Sequence, residues 1–242
     1  MELKLDLHIH SAASPDGRMT LEEIAERCRA AGLNGCAVCD HDRALHAPLE
    51  SEGFLMIPAV EVSTEAGHLL GLFVREDIGT RDFRTAVARI HAQGGLAVLA
   101  HPFEHHADAA RHQLLSTLAP LLDGVEVYNS RAERKIENAN ALAAAFAAEN
   151  GLRPFAGSDA HLPQEIGSVT LTVEAESLTP EAAKAALLHG DVSIAGRRSP
   201  ARYTALSQLT KRKKTGASPA AYLKWALFAA RCAAQDLMRK GE

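Results

Sequence analysis

The chain has 242 residues, 47% of them apolar and 23% charged, with 17 Gly and 10 Pro. This excludes a collagen-like or wholly disordered chain and leaves enough apolar material for a sizeable core. No apolar run reaches the ~18 residues of a membrane span, no signal peptide is expected from a start of Met1-Glu2-Leu3-Lys4, and four Cys are too few for a disulfide scaffold. A reducing cytoplasm is the expected compartment. The formal net charge of −4 conceals an asymmetry: residues 197–242 carry 11 Lys and Arg against 2 Asp and Glu, so an acidic body ends in a basic tail.

In chain order, residues 3–10 alternate as a strand does. Thr20 with Glu23 forms a capping box before a helix over 21–31, which Gly32 stops. Strands follow at 35–39, 55–62 and 68–74. A helix is expected at 81–93, a buried strand at 96–100 closed by His101-Pro102, a helix at 111–118 and a strand at 124–128. An Ala-rich pattern predicts one long helix over 131–150, ended by Gly151. Short strands at 154–157 and 169–173, a helix at 180–189 and a last strand at 192–195 complete the body. Repeated strand–helix units point to a parallel α/β fold, and about seven of them in some 200 residues favour a closed barrel. Residues 211–216 (Lys-Arg-Lys-Lys-Thr-Gly) read as an exposed basic connector to a helix over 220–238. The expected division is a barrel over 1–200 and a connector with an amphipathic helix over 201–242.

Chemistry gathers at the strand ends. Asp6-Leu7-His8-Ile9-His10 would put Asp6, His8 and His10 on one face of a strand, with Leu5, Leu7 and Ile9 on the other. Alone this is equally an exposed polar edge or a metal site, since imidazoles at i and i+2 can converge on one ion. Ser158-Asp159-Ala160-His161, Cys39-Asp40-His41-Asp42, Glu61 with His68, and His101-Pro102 all close apolar strands in the same way. In parallel barrels that end of the strands is where active sites form. A multinuclear metal site is therefore the leading reading, and Cys36 and Cys39 are read as buried thiols rather than a zinc or redox pair.

The order H-x-H, D-H-D, Glu, His, A-H-P and S-D-A-H, continued by Gln164-Glu165-Ile166-Gly167, resembles the polymerase and histidinol phosphatase (PHP) superfamily, and within it the stand-alone metal-dependent phosphoesterases. The resemblance implies a distorted seven-stranded (β/α) barrel of PHP type with an added C-terminal helix. It implies three divalent ions, Zn, Mn or Fe. His8, His10 and Asp159 would hold one; Glu61 would bridge it to a second, held also by His68 and His101; Asp16, His41 and His161 would hold the third. Asp40 and Asp6 would orient imidazoles.

A water bridging two such ions would act as a hydroxide nucleophile near neutral pH, and the third ion would take the phosphoryl oxygens. His161 or Asp159 would donate the leaving-group proton. Candidate phosphate contacts are Asn129, Arg131, Arg18 and Arg43. The expected substrate is a small phosphorylated metabolite, a nucleotide or a short oligonucleotide end. The alternatives are a non-catalytic metal-binding regulatory module, a histidinol-phosphate-type phosphatase, or hydrolysis of an amide or lactone. The C-terminal helix, with Tyr222, Leu223, Trp225 and Phe228, is read as packing on the barrel or on a second subunit, with an anionic membrane surface or nucleic acid as other partners.

Overall fold

A computed structural model describes residues 1–49 and 51–239. Its first strand, β1 (Glu2–Ile9), lies inside the sheet. On one side it pairs in parallel with β2 (Gly35–Val38), followed by β3 (Leu55–Thr64), β4 (Gly67–Leu72), β5 (Leu96–Leu99), β6 (Gly124–Asn129) and β7 (Arg153–Gly157). On its other side stand β8 (Val169–Glu174) and then β9 (Val192–Gly196), both antiparallel to their neighbours. The sheet curls until the end of β7 meets β1: the His10 amide donates to the Ala160 carbonyl at 2.8 Å and the Ala160 amide to His8 at 3.3 Å. The result is a nearly closed barrel of seven strands, extended by β8 and β9.

The sheet is not wholly parallel. Only Glu65 and Ala66 separate β3 from β4, too short a link for a crossover, so β4 runs antiparallel to both β3 and β5.

Closure requires a residue without a side chain at 157. A Cβ on Gly157 would lie 2.2 Å from His8 Cβ and 2.7 Å from its backbone nitrogen. A Gly157→Ala chain is expected to lose about 1–3 kcal/mol of stability through overpacking, read by thermal or urea unfolding.

Helix α1 (Leu21–Ala30), with Thr20 accepting the Glu23 amide as its N-cap, buries Ile24, Ala25 and Cys28 against Cys36, Val38 and Met56. Helices α2 (Phe83–Ala92), α3 (Ala109–Leu118) and α4 (Ala139–Asn150) join one apolar cluster with Val60, Leu69, Leu99 and Val125. Helix α5 (Pro180–His189) packs Ala183 and Leu187 with the cluster that holds Leu5, Leu7, Ile57 and Phe155. Cys36 and Cys39 fall in different clusters, and all four cysteines are buried free thiols.

Three local expectations are corrected. The period-2 reading of β1 fails between Asp6 and Ile9, where the register shifts. Leu5 and Leu7 then pack in one cluster and Ile9 in another. Such bulges re-aim side chains beside functional sites. The helix expected over 131–150 is a short 3-10 turn (Ala132–Arg134) followed by α4. Asn129 Oδ1 accepts the amides of Arg131 and Ala132 at 2.8 and 3.1 Å, and Glu133 leaves helical geometry.

The basic run at 211–214 is not a connector but the last turn of α6 (Ala201–Lys214). Lys and Arg are good helix formers and cations favour a helix C-terminus. Gly216, at φ 63°, turns the chain into α7 (Pro219–Arg239), whose Trp225 indole donates to the Ala205 carbonyl at 2.7 Å. Among the described residues no helix is long and apolar enough to cross a membrane.

Candidate metal centre

Nine side chains from six places in the sequence meet at one mouth of the barrel. His8 comes from β1 and His10 from just beyond it. Glu61 comes from β3 and His68 from β4. Asp16, His41, His101, Asp159 and His161 come from the segments that follow β1, β2, β5 and β7. Glu61 stands at the centre, buried to 1% exposure. Its Oε1 is 2.7 Å from His68 Nδ1 and 3.0 Å from His101 Nε2. Its Oε2 is 2.8 Å from His41 Nδ1, 3.4 Å from His10 Nε2 and 3.7 Å from His8 Nε2. Asp159 Oδ1 lies 3.3 Å from His10 Nε2, and Asp16 Oδ1 lies 3.5 Å from His41 Nε2 and 3.4 Å from His161 Nε2.

Three groupings have ligand atoms all within 4.8 Å of one another: His8, His10 and Asp159; His8, Glu61 and His101; His10, His41 and His161. The first matches a set expected from sequence. The third joins His10 to His41 and His161, with Asp16 beside them.

The atoms are close yet badly arranged for bonding to each other. Asp16 Oδ1, Glu61 Oε2 and His68 Nδ1 are buried without a hydrogen bond, although His68 Nδ1 and Glu61 Oε1 are only 2.7 Å apart. Unpaired buried polar atoms are costly, and lone pairs that converge without facing one another are what cations repay. The residues therefore fit metal ions.

The surroundings fix the lone pairs. Ser14 Oγ donates its single hydrogen to Asp40 Oδ1 at 2.6 Å, so at 3.0 Å from His10 Nδ1 it acts as acceptor. Nε2 of a neutral His10 then carries the free lone pair and points into the cluster. Glu126 does the same for His8, meeting Nδ1 at 3.1 Å, while its other oxygen accepts the His101 amide at 2.9 Å. Asp40 acts through Ser11 and Ser14, not on an imidazole directly. Asp6 accepts the Ser158 amide at 2.8 Å. His101 and Asp159 both sit at positive φ (26° and 56°), a costly conformation for side-chain-bearing residues and one that gathers at functional sites.

The electrostatics show the same demand for positive charge. Burial opposes charge on His8, yet Glu126, Asp159 and Glu61 drive its pKa well above the usual range. Partial burial likewise opposes charge on His41, yet Glu61 and Asp16 push its pKa up to about 11. His10 goes the other way, lowered by burial and then by His161 and His41. Burial disfavours the Glu61 carboxylate, but His68, His41 and His8 hold it well below its ordinary value. Burial raises Asp6 to about 7.

The residues expected to contact phosphate are placed differently. Arg18 and Arg43 are exposed and do not line the cavity over the cluster. Asn129 is buried and spent on Glu126 and on backbone amides. Arg131 reaches the cavity wall, but its guanidinium pairs with Glu165 through Nε (2.7 Å) and a terminal nitrogen (2.5 Å). Glu165 in turn accepts the His161 amide at 3.1 Å, so Arg131 positions the His161 loop.

Sequence reasoning missed Glu126, Glu165 and Ser14. Glu126 had a readable signal, an acidic residue inside an otherwise apolar buried strand.

Barrel and cluster together define an α/β barrel whose mouth gathers imidazoles and carboxylates that could hold metal ions. The PHP domain family model matches residues 6–158 and a PHP-associated model matches 137–192, and the chain belongs to the PHP family. It is 33% identical over 171 residues to an uncharacterised protein of Methanocaldococcus jannaschii, covering 69% of this chain and 68% of the other. A shorter stretch of 81 residues is 37% identical to a 5'-3' exoribonuclease of Haemophilus influenzae, covering 30% of this chain and 29% of that one. A two-domain protein of Bacteroides vulgatus, described as containing a predicted PHP-like metal-dependent phosphoesterase, shares the fold, with a TM-score of 0.64 and 18% identity. The match covers 81% of this chain but only 65% of that one. The lesion-specific endonuclease PfuEndoQ of Pyrococcus furiosus has a TM-score of 0.57 at 20% identity, over 80% of this chain and 58% of that one.

Proposed function

We propose that the protein hydrolyses a phosphate ester with the help of two or three divalent cations. The observation that carries this reading is the convergence of nine imidazoles and carboxylates on one mouth with three buried atoms left unpaired. His8, His10 and Asp159 would hold one cation, Glu61, His68 and His101 a second, and Asp16, His41 and His161 a third. Mixed imidazole and carboxylate donors suit Zn, Mn or Fe. When bound, the cations supply a reactive water at neutral pH and offset charge on the phosphoryl oxygens.

The chain's own residues do the rest. Ser14 and Glu126 hold His10 and His8 with Nε2 inward. Asp159 and His161 lie together, His161 Nδ1 being 3.4 Å from Asp159 Oδ1, where a proton can be passed to a leaving oxygen. Four unpaired thiols support a reducing compartment for this work.

The test is phosphate release from p-nitrophenyl phosphate, bis-p-nitrophenyl phosphate and a panel of phosphometabolites, with Mn²⁺ and with a chelator. Turnover that needs the cation and falls at least ~100-fold in Asp159→Asn is expected. Metal-replete protein inert on every ester would count against the proposal.

A further inference from the structure

The cavity above the cluster has a volume of about 330 Å³, the size of a small-molecule site. Part of its lining does not come from the barrel. Thr204, Gln208 and Lys211, at i, i+4 and i+7, bring one face of α6 to it, and the turn after β6 adds Arg134 and Lys135. Helix α6 lies wholly outside the stretches that the two family models match.

This helix is fastened to the centre at two points. Ser207 Oγ accepts from Arg131 at 3.2 Å. Lys214 Nζ donates to the carbonyls of Ala12, Ser14 and Gly17 at 2.8, 2.8 and 2.7 Å, using all three of its hydrogens on the loop that carries Asp16.

Of the four cationic side chains lining the cavity, only Arg131 is neutralised by a carboxylate. The arginine ion pairs nearby use Arg131, Arg198 and Arg202. Among the described residues Arg134, Lys135 and Lys211 have no carboxylate at ion-pair distance. Arg134 is steadied instead by the Phe228 ring of α7, 5.4 Å away, and Lys135 Nζ stands 3.2 Å from His105 Nδ1. Glu104, the remaining acidic group of the lining outside the cluster, faces His101 and His105. Among the described residues no Phe, Tyr or Trp lines the cavity, so it lacks the large aromatic platform on which a base commonly stacks.

We propose that Lys211, Arg134 and Lys135 form a second anion subsite, and that the substrate is a small ester bearing a further phosphate or carboxylate besides the phosphate that is cleaved. The cluster and its cations serve the scissile group. Three uncompensated cations along the same cavity serve the other, with Thr204 and Gln208 as neutral hydrogen-bonding partners. Lys211 and Lys135 are exposed and flexible, and so act as point charges that recruit an anion. Arg134, held against Phe228, offers a planar fork that fits phosphate or carboxylate.

This inference rests on the phosphoesterase reading, and two measurements separate the failure of one from the failure of the other. The first is calorimetric titration of the metal-stripped protein with inorganic pyrophosphate. Binding is expected, and Lys211→Glu and Arg134→Ala are each expected to weaken it at least tenfold. The second compares kcat/KM of the Mn²⁺-loaded protein on matched pairs: fructose 1,6-bisphosphate against fructose 6-phosphate, and 3-phosphoglycerate against glycerol 3-phosphate. The doubly anionic member is expected to lead about tenfold or more, and Lys211→Ala to collapse that ratio through KM.

Pyrophosphate affinity lost in the variants while no ester is turned over would keep the subsite and discard the phosphoesterase reading. Equal kcat/KM within each pair, a ratio unmoved in Lys211→Ala, or pyrophosphate binding indifferent to both substitutions would overturn the subsite. Lys211 lies on the surface, so its loss does not disturb the core; circular dichroism of each variant verifies this.

Discussion

Replacing Glu61 by glutamine is expected to strip the protein of at least one cation and to reduce phosphate-ester turnover by about 100-fold or more, the lower bound set by what the loss of residues behind a metal ligand costs. The two oxygens of Glu61 are each shared. Oε1 faces His68 and His101, and Oε2 faces His8, His10 and His41. No other carboxylate of the cluster faces so many imidazoles. Glutamine has the same shape, but one of its two head atoms becomes an NH₂ that donates and cannot accept, and the charge disappears. Burial already disfavours the carboxylate, and the surrounding histidines alone hold it ionised. The substitution therefore removes the one anion around which five imidazoles are arranged. Metal content after dialysis, read by elemental analysis, separates this from a purely catalytic defect. A Glu61→Gln chain that keeps the wild-type metal content would show that Glu61 is not a ligand.

The cluster was legible because each contribution is local. An apolar strand that ends in His, Asp or Glu needs no knowledge of its partners to attract notice, and five such ends in one α/β chain point to one mouth. The barrel was legible for a similar reason, through strand–helix alternation. What escaped depends on pairs distant in sequence. Arg131 and Glu165 are 34 positions apart, and nothing in an N-S-R triplet reveals that the arginine is already engaged. The register shift of β1 against β2 and the 3-10 turn at 132–134, where Asn129 caps the Arg131 and Ala132 amides, override the simple periodicities of 2 and 3.6. The basic run at 211–214 misled for another reason. A block of cations suggests a solvated linker, but Lys214 spends its charge on three carbonyls of the Asp16 loop. Glu126 was readable in retrospect, since a carboxylate in the middle of a buried strand always requires a partner.

Arg131→Met is expected to be the most damaging substitution outside the cluster, costing about 3–5 kcal/mol of stability. For a chain of this size that corresponds to a fall in Tm of roughly 10 °C. The guanidinium is 8% exposed and Glu165 1%. Burial works against the charge on Arg131, and Glu165 more than restores it. Removing the arginine alone leaves a carboxylate in the interior facing only the amides of His161 and Leu162 and the Ser199 hydroxyl. The pair itself need not add net stability, because desolvating two charges offsets most of their attraction; the penalty belongs to the unpaired survivor. It follows that Arg131→Met with Glu165→Gln should recover much of the loss. The coupling between the two sites in a double-mutant cycle should be about 0.5–3 kcal/mol in the favourable direction. Urea unfolding of the four chains gives that number directly. Strict additivity would show that Arg131 acts at the cavity wall rather than through Glu165, and would return it to the candidates for substrate contact.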